Sequence, residues 1–256
     1  MQIDGIQAGE SGTDGRKRNM TGTIVNAAAI AAGGLAGHFA GGLLSGGSQE
    51  TLNQVCGVSV LFIGIAGAME GMLRAEQGAI LSGRAMFVVV CLALGALIGE
   101  WINIEGKFER FGEWLKIRTG NAKDRMFVEA FVTASLTVCI GAMAIVGSIE
   151  DGISGDWSIL GVKAVLDFII VMVMTCSMGK GCAFSAIPVF LFEGGVTLLA
   201  SLIRPVMTDA ALGNLSLIGS ILIFCVGLNL VWGKKVRVAN CLPAVVLAAA
   251  AAFLPF

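Results

Sequence analysis

Apolar stretches long enough to cross a lipid bilayer recur along almost the whole chain: Ile24 to Leu44, Leu52 to Leu73, Ala85 to Ile102, Phe127 to Ile149, Leu160 to Met178, Ala183 to Ile203, Leu215 to Trp232 and Val238 to Leu254. A helix needs about 20 apolar residues to cross roughly 30 Å of hydrocarbon. Within hydrocarbon each backbone polar group must be satisfied inside its own segment, which favours helices. The fold class is therefore all-α: a polytopic transmembrane helix bundle of about eight spans. Only 14% of the 256 residues are charged, against roughly 25% in ordinary soluble domains. With 36 Gly and no Tyr, the helices suit close backbone approach through small residues.

Residues 1–19 are polar and Gly-rich, without the apolar core of a signal peptide. They read as a disordered tail, and residues 20–256 as a single polytopic membrane domain. Between the third and fourth spans, segment 103–125 contains Ile104, Phe108, Phe111, Trp114 and Leu115 on one helical face and charges on the other. This predicts an amphipathic interfacial helix at the membrane surface. With the N-terminus outside, ten Lys and Arg fall on the cytoplasmic side and seven on the other, so the positive-inside rule places both termini outside. The acidic loop Ser148 to Ser158 agrees, whereas the basic cluster Arg16, Lys17 and Arg18 opposes this orientation. Similar Gly-rich apolar strings at Phe62, Cys139 and Ser216 would make an inverted repeat, but such strings align with one another easily and no repeat is inferred from them.

Ionisable residues inside spans point to function by default, because they are costly there. Asp167 lies in the fifth span with Lys163 four residues earlier, on one helical face. It is either a cation or proton site or half of a structural pair. Lys180, between Gly179 and Gly181, marks either a tight cytoplasmic turn or a broken helix end that contacts an anion. Glu193 is the most deeply placed acid, five residues after Pro188, which predicts a kink near it. Asn26, Asn229, Thr133 and Ser135 add neutral hydrogen-bonding groups, which in membranes more often join helices than bind solutes. Glu100 and Glu129, near span ends, read as interfacial, and His38 as a helix contact.

Other classes lack their chemistry here. The sequence has no GxxxxGK[ST], HExxH or GxSxG motif, so the chain is not read as an enzyme. A single His and seven Cys without a CxxC pair make a metal site or disulfide framework improbable, and the cysteines read as packing. No cofactor is expected. A net charge of −1 gives no footprint for nucleic acid.

The stretch FVEAFVTASLTVCIGAMAIVGSIEDGISGDWSILGVKAVLDF, with MTGTIVNAAAIAAGGLAG before it, resembles an uncharacterised family of bacterial inner-membrane proteins, the YdfK/YqgA type filed as domain of unknown function family 554. The resemblance runs from about Met20 to the C-terminus. It implies a polytopic inner-membrane protein of a kind often described as a transporter, and names no substrate. Asp167 matches the family as it stands. At FEGG the family tends to carry an amide, so Glu193 is a departure and a shared role for its charge does not follow.

The expected function is secondary transport of a small polar solute, coupled to a proton or sodium gradient. Asp167, Glu193, Asn26, Asn229, Thr133 and Ser135 would form the central site, and Lys163 and Lys180 would supply ion-pair or anion contacts. The expected partners are the bilayer and the solute, with homo-oligomerisation left open. The rival is a non-transporting sensor or assembly protein that docks partners through the basic amphipathic helix. A midplane cavity lined by Asp167 or Glu193 would favour transport, and a solid bundle with those acids paired to Lys or Arg would favour the rival.

Overall fold

The structure, a computed structural model, describes residues 20–76 and 79–253; the tail expected over residues 1–19 lies outside them. Its elements run α1 (Thr21–Gly41), α2 (Gly46–Met72), β1 (Leu73–Glu76), β2 (Ala79–Ser82), α3 (Ala85–Ile102), α4 (Ile104–Arg118), α5 (Phe127–Cys139), α6 (Ala142–Ile153) and α7 (Ser158–Met178). A 3-10 turn (Lys180–Ser185) leads into α8 (Ala186–Leu198) and α9 (Ala200–Ile203). Then come α10 (Asp209–Trp232), a second 3-10 turn (Val238–Cys241) and α11 (Pro243–Ala251). The all-α bundle is as expected, apart from the small antiparallel hairpin of β1 and β2, which pairs Leu73 with Ser82.

Six helical segments among the described residues are long and apolar enough to span a membrane: α1, α2, α3, α7, α10 and Lys180–Leu198. The fourth expected span is broken into α5 and α6 with a 64° bend. Ile140 and Gly141 are extended there, so the helical hydrogen-bond ladder stops and restarts. The eighth, Val238–Ala251, is a shorter apolar helix than the roughly 20 residues of a full crossing. Among the described residues the count is therefore six spans, or seven with the bent pair taken as one.

Glycine contacts give the helix directions. Along α1, a Cβ at Gly33 would meet the backbone of Phe168, one at Gly37 that of Met172 and one at Gly41 that of Cys176, so α1 and α7 run parallel. Along α2, Gly57 faces Leu230 and Val231, Gly64 faces Phe224 and Gly71 faces Leu217, which makes α2 and α10 antiparallel. Successive spans alternate in direction. With α2 and α3 as crossings, α7 is parallel to α1 only if the bent α5 and α6 pair also crosses.

One local expectation changes, and α4 gains a packing partner. Pro188 is the third residue of α8, in the first turn, where a missing N–H costs no helical bond; it does not kink the helix at Glu193. The amphipathic α4 has its apolar stripe against protein. Ile104, Phe108 and Phe111 pack on the main core, Leu115 is buried, and Phe108 stacks on Phe131 of α5 at 6.0 Å between ring centroids. Trp114 is half exposed beside Phe111. α4 is therefore part of the bundle's wall.

Candidate functional site

Four helices bring their polar residues to one point. α1 carries Asn26, α7 carries Lys163 and Asp167, α8 carries Glu193, and α5 ends beside them. All four side chains are buried, Glu193 and Asn26 completely. The parallel packing of α1 on α7 through glycines brings Asn26 within reach of Asp167. Asp167 is the tenth residue of α7, about 14 Å from the helix start and so near the midplane of a roughly 30 Å hydrocarbon layer.

The contacts are dense. Lys163 pairs directly with Asp167 Oδ2 one turn away, and its ammonium lies 3.6 Å from Glu193 Oε1. The same ammonium donates to the carbonyl of Val138 at 2.8 Å. That carbonyl is near the end of α5, and the break at Ile140 and Gly141 leaves it without the usual helical N–H partner. The broken helix thus receives a cation at its negative end. Asn26 Nδ2 donates to both acids, to Glu193 Oε1 at 2.8 Å and to Asp167 Oδ2 at 3.1 Å. One turn toward the start of α1, Thr23 and Thr197 hydroxyls meet at 3.1 Å. Beyond them Asp151 of α6 accepts from the amides of Gly22 at 2.9 Å and Thr23 at 3.4 Å, capping α1.

Two oxygens in the cluster have no hydrogen-bond partner among the described residues: Asn26 Oδ1 and Glu193 Oε2. Both are acceptors when Glu193 is ionised, and two acceptors cannot satisfy each other. The charge is also uneven, with one ammonium against two carboxylates.

The structure brings Asn26, Asp167 and Glu193 together, with Lys163 between the two acids. It separates the other candidates from them. Ser135 donates to the carbonyl of Phe131 within its own helix. Asn229 holds the turn after α10, donating to the carbonyl of Val236 at 2.7 Å and accepting from the amides of Lys235 at 2.8 Å and Val236 at 2.9 Å. It is a turn residue, and Asn229→Ala is expected to cost about 1–2 kcal/mol, read as a lowered melting temperature. Lys180 is exposed at the turn made by Gly179, whose φ of 98° favours glycine. His38 is exposed. All seven cysteines are free thiols, and no group of three or more metal-ligating side chains occurs among the described residues.

Sequence reasoning missed a second feature, a cavity of about 870 Å³ at the opposite end of α7. Thr133 and Asn229 line it, with Glu105, Glu109 and Lys234. Its apolar depth reaches Leu136 and Val226. Leu136 is two residues before Val138, about 3 Å along the helix. Asp167 and Glu193 do not line this cavity and pair instead with Lys163. The cavity and the charge cluster therefore lie on either side of the end of α5.

At the cavity rim Lys234 bridges Glu105 at 2.5 Å and Glu109 at 2.6 Å. Burial by itself would lower its pKa, but hydrogen bonds and charge attraction from the two glutamates outweigh burial and hold the ammonium above the ordinary lysine value. Glu105 and Glu109 are one turn apart on α4, so their spacing could have been read as one acidic face. Its partner on the turn after α10 could not.

The sequence profile described as "Protein of unknown function (DUF554)" matches residues 21–253. The chain is 28% identical over 228 residues to the "Uncharacterized membrane protein YdfK" of Bacillus subtilis (strain 168), covering 89% of this chain and 93% of that protein. It is 29% identical over 231 residues to the "Uncharacterized protein YqgA" of Escherichia coli (strain K12), covering 89% and 94%. No solved structure matches the chain.

Proposed function

Because the chain belongs to the DUF554 family and is a multi-pass membrane protein, we propose that it is a proton-coupled secondary transporter of a small polar solute, with the Asn26, Lys163, Asp167 and Glu193 cluster as its coupling site. One observation carries this reading: a single buried ammonium serves two buried carboxylates, leaving Glu193 Oε2 and Asn26 Oδ1 without partners. Two adjacent buried carboxylates do not both ionise readily. Asp167 takes the direct bond from Lys163 and is the ionised one. A proton on Glu193 Oε2 makes the cluster neutral and gives it an O–H donor to pair with Asn26 Oδ1, while Asn26 Nδ2 continues to donate to Glu193 Oε1. Losing that proton restores the excess negative charge and biases the four helices toward another arrangement.

The cavity ends within about one helical turn of the cluster along α5, but Asp167 and Glu193 do not line it. Its closure short of Asp167 and Glu193 corresponds to an occluded arrangement. The same ion pairing is the observation that favours a non-transporting sensor or assembly protein. The reading assigns no enzymatic reaction, cofactor or nucleic-acid partner. It places the protein in a bacterial inner membrane with α4 on the cytoplasmic side and the N-terminus outside, from the distribution of Lys and Arg.

Proteoliposomes with an internal pH-sensitive dye separate the two readings. Amino acids, short carboxylic acids and small amines are added outside under an imposed membrane potential. At least one class is expected to drive internal pH change with the unaltered protein, and Glu193→Gln and Asp167→Asn to abolish its pH dependence. Solute-driven proton movement unchanged in both variants overturns the coupling site, and its absence for every class favours the sensor.

A further inference from the structure

A polar thread leaves the charge cluster toward the start of α1. α1 and α8 run antiparallel there: Asn26 meets Glu193 at 2.8 Å, and one turn on, the Thr23 and Thr197 hydroxyls meet at 3.1 Å. Thr23 Cγ2 lies over the same part of α8, 3.7 Å from where a Cβ at Gly194 would stand. Beyond the hydroxyls, Asp151 Oδ2 accepts from the Gly22 and Thr23 amides. The thread ends close to the surface, since Thr21 is exposed and so is the loop from Ser154 to Ser158.

Its chemistry is not that of a static helix contact. Asp151 is fully buried, yet its Oδ1 has no hydrogen-bond partner among the described residues, and neither has Ser148 Oγ one turn before it on α6. With Asn26 Oδ1 and Glu193 Oε2 at the other end, four of the eight such buried atoms among the described residues lie along α1, α6 and α8 here; polar groups that only joined helices would be satisfied. The two hydroxyls carry two protons and their mutual bond uses one, so the second points either way. Side chains on a helix lean toward its start, so Thr23 leans toward Asp151, and Thr197, on the antiparallel α8, leans toward Glu193. Thr197 and Glu193 are i, i+4 neighbours with Cβ atoms about 5–6 Å apart, an interval that a hydroxyl and the long glutamate arm close.

We propose that Asp151, Thr23 and Thr197 carry protons between the face at which α1 starts and Glu193; this rests on the proton-coupled reading of Glu193. Fraying of the first turn of α1 admits water to Asp151, whose partner Gly22 is next to the exposed Thr21, and Oδ1 takes a proton from that water. Asp151 releases the proton to Thr23 Oγ1 as Thr23 passes its own to Thr197 Oγ1 and Thr197 passes its own to Glu193 Oε2. One O–H bond is lost at Asp151 and one is gained at Glu193. Each hydroxyl ends with one proton, and rotation about the C–O bonds resets the pair. Few other titratable groups face the thread. α1 contributes only His38, at its far end, and α8 and α9 only Glu193 itself. Lys163 and Asp167 face its inner end from α7, and the Cys139 thiol from α5. Glu150, beside Asp151 on α6, is held by Ser154 at 3.2 Å.

The test follows the protonated carboxyl band of Glu193 by time-resolved infrared absorption after a pH step, with the purified full-length protein in detergent micelles. Loss of the band in Glu193→Gln assigns it. Asp151→Asn keeps an oxygen to cap the α1 amides but holds no acid proton, so it is expected to slow proton uptake at Glu193 by about tenfold or more and to leave the pH midpoint of the band unchanged. Thr197→Val is expected to slow uptake as well, and Thr197→Ser, which restores the hydroxyl, to recover most of the parent rate. A parent-like rate in either Asp151→Asn or Thr197→Val overturns the route, whatever the melting temperature, and leaves Glu193 standing as a coupling acid. If Asp151→Asn does not fold, the threonine variants decide alone, and equal rates in Thr197→Val and Thr197→Ser overturn the route. A Glu193 that takes up no proton at any pH overturns the coupling reading and the route with it.

Discussion

Replacing Lys163 with Met is expected to destabilise the protein by about 3–5 kcal/mol, the usual cost of removing one partner from a buried ion pair. The substitution keeps most of the side-chain volume, so the loss comes from charge. Asp167 would lose its direct partner, Glu193 its nearby cation, and the Val138 carbonyl at the end of α5 the ammonium that donates to it. Several unmet groups would then remain in a region with no water to take them up. Glu193→Gln is expected to change stability by less than about 1 kcal/mol, since a neutral amide keeps an acceptor for Asn26 Nδ2 and leaves Lys163 paired with a single carboxylate. Adding Asp167→Leu to Lys163→Met should recover much of the loss, because a buried pair replaced by apolar groups leaves no uncompensated charge. Reversible unfolding in mixed micelles measures all three. A Lys163→Met protein within about 1 kcal/mol of the parent would mean that the cluster is hydrated and that the ammonium is not its hub.

Gly37→Val is expected to be the next most damaging change, at about 1–3 kcal/mol or more. A Cβ at Gly37 would stand against the Met172 carbonyl and the Thr175 side chain, and neither can yield without moving α7. The consequence reaches beyond packing. α1 holds Asn26 and α7 holds Asp167, so separating the two helices lengthens the 3.1 Å hydrogen bond between them. Gly47→Ala, where nothing lies within 4 Å of the added carbon, serves as the control and should lose no stability. Melting curves of the two variants decide the matter: similar curves would show that the close contact of α1 and α7 does not hold the bundle together.

These two expectations fall on opposite sides of what can be read from the chain. That Lys163 and Asp167 share a face follows from their spacing alone, and the depth of Glu193 follows from the length of its apolar run. The glycine at position 37 looks like any of 36 until the helix it faces is known. Asn229, Thr133 and Ser135 show the converse, since polar residues within apolar runs look alike in sequence. One holds a turn, one lines a cavity, and one returns its hydroxyl to its own helix.

The break between α5 and α6 was hidden for a similar reason. Ile140 and Gly141 are apolar and leave the run uninterrupted by any measure of hydropathy, yet the extended backbone there frees the carbonyl that Lys163 takes up. Hydropathy sums over side chains and is insensitive to backbone angles.

The amino-acid sequence by itself determined the class of the molecule, the location of most of its membrane helices and the short list of intramembrane charges. These depend on the length of apolar segments and on the energetic cost of burying an ionised group, both local properties of the chain. Only the tertiary structure decided that Asn26, Lys163, Asp167 and Glu193 form one cluster, that the fourth span is broken, and that α4 and the turn after α10 enclose an acidic cavity. Those outcomes depend on which helix faces meet, and that is set by side-chain and backbone packing between segments separated by more than a hundred residues in the case of Asn26 and its two acids.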